Sequence, residues 1–514
     1  MISVLPGEVK ARSMQIPLET LEKLEIYQHV TKSLPARAVR ASAWLVLLPP
    51  KGRRIEWTDH PQGERFRRRL RGRDEPRIRT ELDDEAGTPV LLARMDGKRA
   101  TAFDRLTQLR EHLDALLEQR HTGLLIDVSR LDPEAGKEAA RAALLAVFAR
   151  IAPLPKLTKE KTPGWRLRDV HLWGPAERID VESLRLEALG NHLARWLTAL
   201  PANRLFPDDY RRLAARLAKR EGWEYRFMGT PQLKRLGAGA FLAVCQGSRR
   251  PGNGIVHLRY RPRRRRNVRR LALVGKGICF DTGGVNLKTA RYMHGMHEDM
   301  EGSAVALGTF LALARRNPPF AIDAWLAVAE NVIGPEAYRP NEVVTACNGT
   351  HIEVIHTDAE GRMVLADTLA LASREKPDLL IDYATLTGAC VYALSTRMSG
   401  VFTPDESLQQ DALEAGRESG ERVWPFPMEA DFDEALKSEV ADIKQCLLEG
   451  EADHILAARF LKRFVEDGVP WLHLDMAAGN HKGGLAHIPT DVTGFGVHFT
   501  LRLLEKRGFL PGRE

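Results

Sequence analysis

Cysteine is scarce. The five residues Cys245, Cys279, Cys347, Cys390 and Cys446 stand far apart, and no C-x-x-C occurs. An odd, scattered set argues against a disulfide framework or a cysteine-based zinc centre and predicts a reducing cytoplasm. No run approaches the roughly 18 apolar residues a membrane helix needs, so no spanning segment is expected. The opening stretch Met1-Ile2-Ser3-Val4-Leu5-Pro6-Gly7 lacks a basic flank followed by an apolar core, which predicts no secretory signal. Internal repeats, long low-complexity tracts and the G-x-x-x-x-G-K-[ST] of a phosphate loop are also missing.

What is present is a 514-residue chain, 44% hydrophobic and 28% charged. That is too long for one ordinary core, so two or more domains are expected. Lys+Arg 76 against Asp+Glu 68 leaves a net charge of +8, which raises an anionic partner but speaks to association and not to fold.

Short apolar runs at Ala43 to Leu48, Pro89 to Arg94 and Leu124 to Val128 read as strands. Helical patterns at Phe103 to Gln119 and Pro133 to Ile151 alternate with them, the second starting at Asp132 as an N-cap. A strand at Asp169 to Leu172 and a helix at Val181 to Leu200 follow. Further strands are expected at Phe241 to Cys245, Ile255 to Tyr260, Leu271 to Val274, Ala321 to Ala329, Ile352 to Ile355, Leu379 to Tyr383 and Trp471 to Leu474. Helical patterns lie at Gly302 to Arg315, Arg362 to Ser373, Thr387 to Arg397, His454 to Val465 and Thr493 to Lys506. The predicted fold is α/β: a smaller N-terminal α/β domain plus a larger C-terminal α/β domain with a mixed, mostly parallel sheet flanked by helices. The boundaries drawn are an accessory domain at 1–165, a connector strand and helix at 166–200, and a catalytic domain at 201–514. Chemistry is expected in loops at the carboxyl ends of strands.

Three segments of the second region carry chemistry. The strand ending at Val274 runs into Gly275-Lys276-Gly277, then Asp281-Thr282-Gly283-Gly284 and Lys288. Asp299 stands just ahead of the apolar helix, where taken alone it reads first as a helix cap. In His356-Thr357-Asp358-Ala359-Glu360-Gly361-Arg362, an extended chain would turn Asp358, Glu360 and Arg362 to one side, while Thr357-x-x-Glu360 also matches a capping box. Beside Lys276, the side chains of Asp281, Asp299, Asp358 and Glu360 make four carboxylates that would repel unless neutralised. Divalent cations are the usual remedy, and two of them suit a hydrolytic displacement. A lysine ligand must be neutral, which a neighbouring dication favours.

These segments resemble the leucyl (cytosol) aminopeptidases of the M17 class, over roughly residues 186 to 510. The matching elements are Val274-Gly275-Lys276-Gly277-Ile278, Phe280-Asp281-Thr282-Gly283-Gly284, Asp299-Met300 and Thr357-Asp358-Ala359-Glu360-Gly361-Arg362. Asp382-Tyr383-Ala384-Thr385-Leu386-Thr387-Gly388-Ala389, His473-Leu474-Asp475-Met476-Ala477 and Thr493-Gly494-Phe495-Gly496-Val497 match as well. The resemblance implies a two-metal exopeptidase of the cytoplasm, assembled as a homo-hexamer and acting on peptides. Asp281 and Glu360 would bridge the ions (Mn or Zn, with Mg or Co as alternatives). Asp358 would complete one metal site, and Lys276 and Asp299 the other. Lys288 would polarise the scissile carbonyl, and Arg362 would anchor a bicarbonate ion as general base. Thr385, Leu386 and Gly388 would line the substrate cleft, with Met296 near the first side-chain pocket.

Departures from the pattern are Glu301 where small residues are usual, His356 in place of an asparagine, and His454 at a helix start. Two arginine clusters stand outside the motifs: Arg261, Arg263 to Arg266, Arg269 and Arg270, and then Arg65, Arg67, Arg68, Arg69, Arg71, Arg73, Arg77 and Arg79. They leave nucleic-acid binding as the alternative function, although no aromatic interleaving or DNA-binding motif accompanies them. Solvated loops and ion pairs are the plainer reading.

Overall fold

A computed structural model describes residues 16–97, 100–117, 121–159, 166–263 and 268–512. The strands β1 Glu25–His29, β2 Ala43–Leu48, β3 Arg77–Glu81, β4 Pro89–Arg94, β5 Gly123–Asp127 and β6 Asp169–Trp173 form one sheet in the order β1-β6-β5-β2-β4-β3. All neighbours pair in parallel except β3, which runs antiparallel to β4 at the edge. Every residue of β2 is buried, as expected of a central parallel strand covered on both faces. The helix Pro133–Ile151 begins where Asp132 accepts from the Ala135 amide at 3.0 Å, with proline in its first turn. The helix Ala102–Leu116 opens on a capping box between Thr101 and Asp104.

The remaining strands are β7 Glu224–Gly229, β8 Gly254–Tyr260, β9 Arg270–Asp281, β10 Ala321–Asn331, β11 Val343–Thr345, β12 His351–Glu353, β13 Leu379–Ala384, β14 Ser399–Phe402, β15 Val423–Pro425, β16 Ile443–Lys444 and β17 Trp471–Asp475. Eight of them form a mixed sheet in the order β15-β14-β17-β13-β9-β10-β8-β7, parallel from β17 through β10, and β11, β12 and β16 form a small separate sheet. Helix Val181–Thr198 joins the two halves and lies against helix Glu301–Ala314. Their backbones meet at two glycines: a Cβ on Gly190 would stand 2.4 Å from the Gly308 carbonyl oxygen. One apolar core runs through this crossing, from Leu45 and Ile126 by way of Leu189 and Leu193 to Leu307 and Leu273.

β9 is longer than its apolar run, extending past Val274 to Asp281. Gly275 and Gly277 permit this, because a Cβ on Gly275 would fall 2.4 Å from Ser303 Cα at the start of the neighbouring helix. Ile278 pairs with Ala329 and Asp281 with Asn331, so β9 carries one more residue than β10 across this step, a β-bulge. Lys276 and Asp281 are five residues apart, and side chains of a regular strand with that spacing point to opposite faces. The extra residue restores the phase, and both residues line the same cavity.

Two expectations are corrected. Phe241–Cys245 belongs to the helix Gly239–Cys245, not to a strand. A short apolar run has no periodicity to tell the two apart, and Asp367 stabilises the helix start by accepting from the Phe241 amide at 2.8 Å. Nor does the chain stay extended from β12 to Arg362. It turns after Thr357, and Glu360 opens the helix Glu360–Ser373 with no side-chain cap. The Thr357 hydroxyl instead donates to the Gly283 carbonyl at 2.6 Å.

Candidate active site

Asp281 ends β9, Thr385 follows β13, and Asp475 ends β17, so adjacent parallel strands deliver polar residues to one rim. Loops bring the rest: Lys288, Asp299 ahead of the helix Glu301–Ala314, and Asp358 with Glu360 at the helix Glu360–Ser373. They surround a cavity of ≈ 480 Å³ lined by Lys276, Asp281, Lys288, Asp299, Asp358 and Glu360, and also by Met296, Thr385, Leu386 and Gly388. Of the catalytic, metal-ligating and substrate-lining residues that the resemblance implies, only Arg362 is not among its lining.

Two lysines organise the carboxylates. Lys276 Nζ stands 2.8 Å from Asp299 Oδ1 and 2.9 Å from Glu360 Oε1, and donates to the Thr385 carbonyl at 2.9 Å. Lys288 Nζ lies 3.0 Å from Asp281 Oδ2 and 2.5 Å from Asp358 Oδ1. Asp281, Asp358 and Glu360 each offer an oxygen within 4.8 Å of the others. Burial pushes these carboxyls and that of Asp299 above the ordinary range, the neighbouring carboxylates add to it, and the lysines oppose it. For Lys276 and Lys288 burial works against the ammonium, but the surrounding carboxylates outweigh it and hold both above the usual lysine value.

The cluster is braced by groups to which the sequence alone assigns no such role. Asn331, at the end of β10, donates to Asp281 Oδ1 at 2.8 Å and to the Thr357 carbonyl at 3.0 Å. Tyr338 donates to the same carbonyl at 2.7 Å. Asp475 accepts from the Thr387 hydroxyl at 2.6 Å and from the Leu386 amide at 3.2 Å, which pins the loop along the cavity. The one sequence signal for Asn331 is its place at a strand end on the rim, whereas Asp475 lies in the matching element His473-Leu474-Asp475-Met476-Ala477, which by itself assigns it no role. Asp299 is not a helix cap, since Met300 takes that position and the Thr385 hydroxyl donates to Asp299 Oδ1 at 2.8 Å.

Arg362 is buried, and its guanidinium donates to the Gln445 carbonyl at 3.1 Å and to the Asp453 oxygens at 2.8 and 2.9 Å. Burial disfavours its charge, but Asp453 more than compensates. The arginine clusters are partly engaged within the chain. Arg261 pairs with Asp323, Arg269 donates to the Arg507 and Gly508 carbonyls, and Arg270 donates to the Glu375 carbonyl. Arg77 donates to the Glu111 carbonyl, and Arg67 pairs with Glu64. Arg264, Arg265 and Arg266 lie outside the described residues.

Residues 192–501 match the model of the cytosol aminopeptidase family, catalytic domain. A probable cytosol aminopeptidase of Synechococcus sp. is 40% identical over 376 residues, covering 70% of this chain and 73% of that protein. One from Chlorobaculum tepidum is 40% identical over 362 residues, covering 68% and 71%. Among solved structures, the bottromycin maturation enzyme BotP in complex with Mn is similar at a TM-score of 0.77 and 32% identity, covering 90% of this chain and 99% of that one.

The chain belongs to the cytosol aminopeptidase family. It is a metallo-aminopeptidase, and the residues present suit a metal. Three carboxylates converge, and Asp299 Oδ2 is buried with no hydrogen-bond partner among the described residues. Around this aminopeptidase site the departures find places. The His356 ring accepts from the Asp358 amide at 3.3 Å, and His454 packs edge-on against Phe426 at 4.4 Å. Glu301 is buried and lines the cavity. Among the described residues no helix is long and apolar enough to cross a membrane.

Proposed function

We propose that Lys276, Asp281, Asp299, Asp358 and Glu360 hold two divalent ions, with Asp281 and Glu360 shared between them, and that the enzyme removes the N-terminal residue of peptides. The observation that carries this is the meeting of Asp281, Asp358 and Glu360, with oxygens within 4.8 Å of one another, beside Asp299 and the two lysines that pair with all four carboxylates. The Mn in the related BotP structure supports manganese, with zinc as the alternative. Bound dications supply Lewis acidity and a more acidic water at neutral pH.

Lys276 ligates only after its ammonium loses a proton, so loading depends on pH. Lys288, poised between Asp281 and Asp358, donates to the scissile carbonyl and to the oxyanion that develops there. Asp475 fixes the Leu386 and Thr387 amides, so that the Thr385 to Gly388 segment presents a constant wall to the substrate. Bicarbonate at Arg362 is the proposed general base, and to reach the guanidinium it must displace Asp453 or share the site with it.

The domain boundaries remain as proposed, with 1–165 as an accessory module, 166–200 as a connector and 201–514 carrying catalysis. The site residues, all within 201–514, support the third segment, whereas β6 of the connector pairs with β1 and β5 and so packs as part of the accessory module's sheet. A homo-hexamer and a cytoplasmic location belong to the same reading. The free state of all five cysteines fits that location, and size-exclusion chromatography tests the assembly. Hydrolysis of aminoacyl amides, leucine amide among them, with added Mn or Zn tests the activity, and the absence of cleavage of any of them by metal-loaded protein overturns the proposal.

A further inference from the structure

Three carboxylates line the cavity outside the lysine-paired cluster, and Asp475 is already satisfied by Leu386 and Thr387, which leaves Glu301 and Glu298. Glu301 is 1% exposed, and its Oε1 has no hydrogen-bond partner among the described residues. The Gly494 amide is the group that reaches its carboxylate. Glu298 accepts from Asn480 Nδ2 at 2.8 Å, and the His297 ring lies 3.9 Å from its Oε1. Among the described residues neither glutamate pairs with a lysine or arginine. The lysines that line the cavity, Lys276 and Lys288, are engaged with Asp299, Glu360, Asp281 and Asp358.

The place of Glu301 is built into the backbone. Gly479 follows β17, and a Cβ there would fall 2.2 Å from Glu301 Oε2. Any other residue at 479 would evict the carboxylate. An exposed glutamate in a first helical turn needs no explanation beyond the helix dipole. One enclosed against Gly479, with an oxygen unpartnered and a substrate cavity in front of it, is costly as an anion unless it takes up a proton or a donor or cation arrives from outside. Met296, Val391 and Ala477 line the same cavity, and Gly388 adds open space, since a Cβ there would meet nothing within 4 Å. Apolar walls leading to a carboxylate suit a long methylene stem that ends in a cation.

We infer that Glu301, assisted by Glu298, forms the base of the subsite for the side chain of the substrate's N-terminal residue and selects arginine or lysine there over leucine. This rests on the aminopeptidase reading of the site and names its substrate class. Glu301 acts by contact with the substrate side chain, not with the reacting atoms.

The test uses the full-length, Mn-loaded enzyme and aminomethylcoumarin amides of arginine, lysine, leucine and methionine. The wild type is expected to show kcat/KM for arginine and lysine at least about tenfold above leucine. Glu301→Gln keeps the shape and removes the charge, and is expected to lower the arginine-to-leucine ratio of kcat/KM by about tenfold, mainly through KM. A wild type that cleaves leucine as well as or better than arginine overturns the inference and leaves the aminopeptidase standing. So does a Glu301→Gln enzyme with an unchanged ratio. Cleavage of none of the four amides by metal-loaded protein removes the aminopeptidase reading itself. The wild-type comparison decides without relying on any variant's folding.

Discussion

Arg362 grips both oxygens of Asp453, at 2.8 and 2.9 Å, so the guanidinium implied to anchor bicarbonate already holds a carboxylate of its own chain. Wild-type hydrolysis of leucine amide should therefore respond weakly to added bicarbonate. Asp453→Ala frees the guanidinium and should make the rate depend on bicarbonate, while costing about 1–3 kcal/mol of stability for a charged partner left unpaired. Rates with and without bicarbonate, beside a thermal melt, check both. Equal stimulation of the two enzymes would show that Asp453 does not compete for the site.

Lys288 is the cation placed to meet developing negative charge, and Asp358 is one of its two partners. Lys288→Ala should lower kcat on leucine amide by about 10²–10³ or more, the size typical of losing an oxyanion donor. Asp358→Ala should abolish turnover and weaken metal retention, read by elemental analysis after dialysis. Near-normal kcat in either purified variant would contradict the assigned roles.

Asp323 links stability to pH. Burial would raise its carboxyl, but the His257 ring and the Arg261 fork hold it down at about 2. His257 is itself pushed down by burial, so the durable counter-charge is Arg261. A depressed carboxylate adds stability that is fully present above its ordinary value of 3.8 and is lost as pH falls toward about 2. Asp323→Asn should remove about 2 kcal/mol at neutral pH, and the gap to wild type should close in acid. Denaturant midpoints across that range provide the measurement.

Gly190 lets two helices cross backbone to backbone. Gly190→Val places its side chain against the Gly308 carbonyl and should cost about 3 kcal/mol or more as overpacking. Because the same core runs beneath both sheets, a single lowered transition in calorimetry is expected. Two separated transitions would show that the halves melt independently.

The legible parts were those with a period or a motif. The helix Pro133–Ile151 announced itself through Asp132 and its apolar spacing, and Lys276, Asp281, Asp299, Asp358 and Glu360 through their spacing in known motifs. Partnerships across long stretches of chain were not legible. Asp453 meets Arg362 from 91 residues away, and Asn331 reaches Asp281 from 50. Nothing local marks either one. Phe241–Cys245 shows the complementary difficulty, since five apolar residues fit a buried strand and a buried helix equally well.

The extra residue in β9 has a consequence for insertions and deletions. Removing one residue between Ile278 and Asp281 would leave the apolar pattern and the length of the sheet almost unchanged. It would also turn Asp281 away from Lys276, because alternation along a strand counts residues by parity. In this segment a frame of one residue separates an enzyme from a well-folded bystander, and substitutions should be tolerated there far better than changes of length.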